Sequence, residues 1–181
     1  MKTIVITGAA GFIGSNLSNY LYRLGHSLVL IDSLEYGGDI MRLCEGLRSK
    51  LIIDNLQSMD TMNFVENADI VIHLAGISSL PLNEKDPVNS VRNNFISTVN
   101  IYEIAVKFGV SQFYFASTSA VYENNNVKPF KEDIETCPDL LYSYSKKISE
   151  DYLQLRTVKK DGINTTVLRF FNVFGSGQNT L

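Results

Sequence analysis

Thr7-Gly8-Ala9-Ala10-Gly11-Phe12-Ile13-Gly14 is the stretch that decides the fold. Before it runs an apolar strand-like segment, Thr3-Ile4-Val5-Ile6. After it Phe12, Ile13, Leu17, Leu21 and Leu24 recur at helical spacing. A strand, a glycine-rich turn and a helix in that order make a phosphate-binding unit. The first turn of a helix leaves backbone N–H groups unpaired, and the aligned peptide dipoles place partial positive charge there. Glycine allows the tight turn and lets a diphosphate come close to the backbone.

Strand-like runs recur at 2–7, 27–31, 51–53, 69–74, 113–116 and 165–171. Helix-like segments lie between them at 12–24, 39–48, 58–66, 88–108 and 142–160, and polar, proline-bearing loops at 77–87 and 123–140. In the longest helix Val88, Val91, Phe95, Val99, Tyr102 and Val106 form one stripe, the expected core face. Alternating strands and helices imply right-handed crossovers and a parallel sheet. With a glycine turn first, the fold class is α/β: a doubly wound parallel sheet (Rossmann fold) in three α/β/α layers, strand order 3-2-1-4-5-6. Residues 1–181 are read as one cofactor-binding domain that also carries the catalytic residues.

Composition narrows the class. The 181 residues suffice for one domain with a sizeable core, and 45% apolar with 19% charged is ordinary for a globular chain. A net charge of -3 argues against nucleic acid or an anionic membrane as partner. No apolar run reaches the roughly 20 residues of a membrane span, and the N-terminus lacks a signal-peptide layout. Cys44 and Cys137 stand too far apart for a metal or redox motif, and His26 and His73 are too few for a metal site. The expectation is a cytoplasmic protein with reduced thiols and no metal.

Four constellations carry chemistry. Asp32 ends the second strand, about 20 residues beyond the glycine turn, where an acid accepts hydrogen bonds from an adenosine ribose. A carboxylate there repels a 2′-phosphate, which favours NAD over NADP. Asp54-Asn55-Leu56 follows the third strand, near the adenine in this fold; a solvated loop acid is the competing reading of Asp54. His73-Leu74-Ala75-Gly76 closes the fourth strand, with small residues that let the cofactor run close and a histidine read as structural. Tyr142 and Lys146 share one helix face. A free tyrosine, with a pKa of roughly 10, is a poor base at neutral pH. A nearby ammonium and a cationic nicotinamide both favour its phenolate. Thr118, at the end of the fifth strand, would orient substrate and phenol. Alone, Y-x-x-x-K also describes an ordinary helix-surface pair.

Together these segments resemble the extended short-chain dehydrogenase/reductase family, and within it the nucleotide-sugar epimerases and dehydratases. Besides the glycine turn and His73–Gly76, the resemblance rests on Asn94 with Ser97-Thr98-Val99-Asn100, and on Ser117-Thr118-Ser119-Ala120-Val121-Tyr122. It also rests on Tyr142-Ser143-Tyr144-Ser145-Lys146 and on Arg169-Phe170-Phe171-Asn172-Val173-Phe174-Gly175. It implies Thr118, Tyr142 and Lys146 as catalytic. It implies cofactor contacts at Gly8, Gly11, Phe12, Ile13, Gly14, Asp32, Asp54, Asn55, Leu56, Leu74, Ala75, Gly76, Asn94, Tyr142 and Lys146. Substrate contacts fall on Thr118, Ser119, Tyr142 and Asn172. The cofactor is NAD and the substrate a nucleotide sugar, a UDP-hexose or UDP-N-acetylhexosamine; a homodimer through helices 88–108 and 142–160 is also implied. Dehydratases of the family carry Asp-Glu after the threonine, and sugar-acid decarboxylases a glutamate two after it. Here Ser119 and Ala120 stand in those places, so 4-epimerisation, which needs only the tyrosine, fits best. A one-way reductase or dehydrogenase or a dehydratase of the same family, and an NAD-binding chain without turnover, are the alternatives. Relatives usually continue beyond the Asn-Val-Phe-Gly segment into a substrate lobe, so most of that lobe is expected to be missing from these residues.

Overall fold

Six parallel strands form one sheet in the order β3-β2-β1-β4-β5-β6, as the sequence predicts. They are β1 (Thr3–Thr7), β2 (Ser27–Asp32), β3 (Leu51–Ile53), β4 (Ile70–His73), β5 (Gln112–Thr118) and β6 (Asn164–Phe170). The computed structural model describes residues 1–58, 62–159 and 162–178. The helices are α1 (Phe12–Arg23), α2 (Glu45–Arg48), α3 (Leu80–Lys85), α4 (Pro87–Val91), α5 (Ser97–Lys107) and α6 (Leu141–Val158). Strand side chains alternate between two cores. Ile4, Ile6, Leu28 and Leu30 face one side with Leu43 and Leu47. Val5, Ile31, Val71, Phe113 and Phe115 face the other, with Ile101 and Tyr102 of α5 and Leu153 of α6. A sheet apolar on both faces must be covered on both, which fixes the three layers.

The helices depart from the expected pattern in instructive ways. In α1 the fully buried residues are Gly14, Ser15 and Ser18; Leu24 of the expected stripe is exposed. Small side chains bring this helix close to the sheet, while Leu17 and Leu21 pack at its flank. The expected helix 39–48 is split into a 3-10 turn at Ile40–Arg42 and the single turn α2. The Asn19 amide divides them, donating to the Arg42 carbonyl and accepting from the Cys44 N–H, each at 2.8 Å. Of the expected helix 58–66 the structure shows a 3-10 turn at Met62–Val65, and positions 59–61 lie outside the described residues.

The expected loop 77–87 contains α3, whose proline falls in its first turn, where a missing N–H costs nothing. The expected helix 88–108 begins as α4, widens into a π segment at Arg92–Ile96 and continues as α5. Its expected stripe is not the core face at the start: Val88 is exposed, and Ser90 and Asn94 point inward instead. Those polar groups satisfy each other. Ser90 donates to the Asn83 side chain, and the Asn94 amide reaches Asn83 (3.1 Å), Ser145 (3.1 Å) and the Ile77 backbone. No described helix is long and apolar enough to cross a membrane.

Candidate functional site

A cleft of about 590 Å³ follows the C-terminal ends of the strands, the place where open parallel sheets bind ligands. Its first wall is the glycine turn. Gly8 has φ 68°, and a Cβ there would lie 2.8 Å from the Ala75 nitrogen. A Cβ on Gly14 would overlap the Gly8 carbonyl. Gly11 opens α1 with extended backbone and no side-chain cap, so the first N–H groups of the helix, at Phe12 and Ile13, remain available to an anion beside the cleft. This is a cradle that side chains would fill, and it fits a diphosphate.

Asp32 comes next. Its carboxylate accepts from the Ala10 and Leu34 N–H groups, both at 2.9 Å, and each oxygen keeps a lone pair for a ribose hydroxyl. Arg42 closes the loop after β2 by donating to the Gly37 carbonyl (2.7 Å) and the Ala10 carbonyl (3.3 Å). Tyr36 of that loop accepts from the Asn89 amide of α4. Asp54, Asn55 and Leu56 line the far end. Asp54 accepts from the Asn55 N–H at 2.6 Å and Asn55 from the Gln57 N–H at 3.1 Å, so the turn that presents them is internally braced.

Leu74, Ala75 and Gly76 line the middle of the cleft. His73 beneath them is wholly buried and sits between the Thr7 hydroxyl (2.7 Å) and the Thr98 hydroxyl (3.0 Å). Burial, and then the charge of Lys146, push its pKa down to about 3, so the ring is neutral and structural. Unfolded, it takes up a proton near its ordinary 6.5. The unfolded state therefore binds more protons between pH 6.5 and about 3, and stability is lost as pH falls through that window, by as much as about 5 kcal/mol. Urea melts from pH 7 to pH 4 should show a steeper acid loss for the parent than for His73→Gln. Parallel curves would assign the loss to other groups.

At the other end stand Thr118, Tyr142 and Lys146. Thr118 caps the 3-10 turn Ser119–Tyr122 by accepting from the Ala120 N–H at 3.1 Å, and its hydroxyl favours the ionised Tyr142 phenol. Burial raises the phenol above its ordinary value and the Thr118 hydroxyl opposes this. In the chain by itself the phenol is therefore neutral; the lowering expected from Lys146 is not what governs it. Lys146 is buried, its Nζ 4.9 Å from the Phe115 ring centre. Burial brings its pKa down to about 8, and Glu150 works against that.

Two of the expected residues are outside the cleft lining. Asn94 is buried and does not line the cleft; its amide joins the loop at Ile77 to α3 and α6. Asn93 and Ser97, on the other side of the π segment, line it instead. Ser119 also lies off the cleft, where Ser117 takes its place, while Asn172 lines it as expected. Ser33, Tyr36, Arg42, Ser78 and Asn93 belong to the lining but not to the expected set. Gly37-Gly38 is a sequence signal that could have marked a close-wrapped loop after Asp32, since a Cβ on Gly38 would lie 2.6 Å from the Asp32 carboxylate. Among the described residues no group of acids, histidines and cysteines could hold a metal.

Known proteins share this fold. The UDP-N-acetyl-alpha-D-glucosaminuronate decarboxylase of Bacillus cytotoxicus is 32% identical over 96% of this chain and 55% of its own length. The UDP-N-acetylglucosamine 4-epimerase of Methanobrevibacter ruminantium, solved with UDP-N-acetylmuramic acid, superposes with a TM-score of 0.90 at 30% identity, over 98% of this chain and 57% of that one. The Thermus thermophilus UDP-glucose 4-epimerase, solved with NAD, gives 0.87 at 27% identity, over 98% and 57%. The chain thus spans about half the length of these relatives. The description NAD dependent epimerase/dehydratase family matches residues 4–181, and the chain belongs to that family.

Proposed function

We propose that this chain holds NAD and carries the catalytic groups of a nucleotide-sugar 4-epimerase. The reading rests on one arrangement: a diphosphate cradle at one end of a cleft, and Thr118, Tyr142 and, one turn further along α6, Lys146 at the other. The glycine turn and the start of α1 would hold the diphosphate, Asp32 the adenosine ribose, and Asp54 to Leu56 the adenine. When bound, NAD supplies a site that accepts a hydride and gives it back. Tyr142 takes the proton from the sugar 4-hydroxyl and returns it after the keto sugar has turned over. Thr118 orients phenol and hydroxyl. Lys146 holds the nicotinamide ribose and favours the phenolate. Asn172, past the end of β6, would meet the sugar nucleotide. Ser119 and Ala120 bring no carboxylate beside Thr118, which disfavours the decarboxylation named for the Bacillus relative.

Calorimetric titration should show NAD binding more tightly than NADP. Product analysis with UDP-glucose and UDP-N-acetylglucosamine should show weak or no turnover by these residues alone, and any product should be the 4-epimer with no net change in NADH. Net NADH consumption would point to a one-way reductase. The absence of any NAD heat would overturn the reading.

A further inference from the structure

Behind the catalytic helix face lies a buried charged group that the proposed chemistry does not use. Glu150, one turn beyond Lys146 on α6, is almost fully buried. It accepts from the Ser117 hydroxyl, next to Thr118, and from the Arg169 guanidinium of β6, whose Nε lies 3.1 and 3.2 Å and whose Nη2 2.7 Å from its oxygens. Arg169 also donates to the Tyr122 hydroxyl and to the Glu132 carbonyl (3.1 Å), with its guanidinium 5.0 Å from the Tyr122 ring centre. The pair thus ties the end of β5, the turn after it and the loop 123–140 to the helix that carries Tyr142 and Lys146.

We propose that Glu150 is an electrostatic positioning residue for Lys146, and that Arg169 sets how much of its negative charge Lys146 feels. The pair links β6 to α6 with its Glu150 end buried and its Arg169 end partly exposed, which holds a carboxylate in place one turn from Lys146. Lys146 also has no anionic partner within hydrogen-bond reach among the described contacts. The groups that face it are neutral His73 on β4, the Phe115 ring on β5, and Tyr142 and Glu150 on its own helix. Burial favours the uncharged amine, and Glu150 is the carboxylate that opposes it. Arg169, bonded to that carboxylate, offsets part of the effect.

The inference rests on the reading of Lys146 as a cofactor-side cation, yet its test needs no cofactor. In protein labelled with 13C-lysine, the Lys146 Cε signal, assigned by its loss in Lys146→Met, is titrated from pH 6 to pH 11. Glu150→Gln keeps an acceptor for Ser117 and Arg169, and should move the midpoint down by about one unit. Arg169→Gln should move it up. Opposite shifts support the proposal, since a merely structural pair would move both variants the same way or neither. If only one variant folds, its own shift decides. If neither folds, or if the midpoint stays put, the pair is structural and the proposal fails. NAD titration of the parent tests the cofactor reading separately, so either can fail alone.

Discussion

Lys146→Met is expected to give a more stable protein that binds NAD poorly. The ammonium is buried against Phe115, and its pKa is lowered from 10.5 to about 8, chiefly by that burial. The sign follows from linkage. Between about pH 8 and pH 10.5 the unfolded chain binds a proton that the native chain has lost, so stability rises with pH across that window. Below it the native state bears the full cost of holding a buried charge, about 3 kcal/mol at most. Methionine keeps an unbranched side chain of similar length and a favourable contact with the aromatic ring. Denaturant melts at pH 7 should favour the variant by about 1–3 kcal/mol, with the advantage gone by about pH 10.5. NAD affinity should fall by about tenfold or more, because a hydrogen bond from a charged donor is worth about 1.5–3 kcal/mol. A variant less stable than the parent at pH 7, or one with unchanged NAD affinity, would remove Lys146 from this role.

Tyr142→Phe should separate binding from chemistry. The ring stays and the hydroxyl goes. NAD affinity is expected to stay within a few-fold of the parent, whereas turnover of the NAD-loaded protein drops by about 10²–10⁴, the usual worth of a positioned general base. The phenol is neutral in the chain alone, because burial outweighs the Thr118 hydroxyl. Its activation is therefore expected to need the positive charge that NAD brings beside Lys146. A UV difference titration should show a tyrosine signal absent from Tyr142→Phe whose midpoint falls when NAD is added. Turnover close to the parent's would assign the proton to another group.

Much of this was legible in the sequence because it rests on strong local signals. Apolar runs ending in small or acidic residues give the strands, and glycine at positions 8 and 14 gives the turn. The strand order follows from how such turns and crossovers pack. That Thr118, Tyr142 and Lys146 share one cleft was legible because the residues after β5 and at the start of α6 lie in fixed relation once the sheet is parallel. What escaped was polar. Hydrophobic periodicity assigns Val88 to the core and is silent on Ser90 and Asn94, which are buried because Asn83 and Ser145 satisfy them. The π segment that carries Asn93 and Asn94 leaves no mark in an apolar pattern. Arg42 reaches the cleft only because Asn19 breaks the helix that periodicity predicts at 39–48.

The carboxylate of Asp32 also stitches two backbone segments together, through Ala10 on one side and Leu34 on the other. The proposed discrimination between cofactors and the shape of the proposed diphosphate seat are therefore one mechanical unit. Replacing the acid to admit a 2′-phosphate would also unfasten an amide of the seat itself. A lineage moving toward the phosphorylated cofactor would have to rebuild that fastening in the same step, which makes the preference for NAD hard to drift away from one substitution at a time.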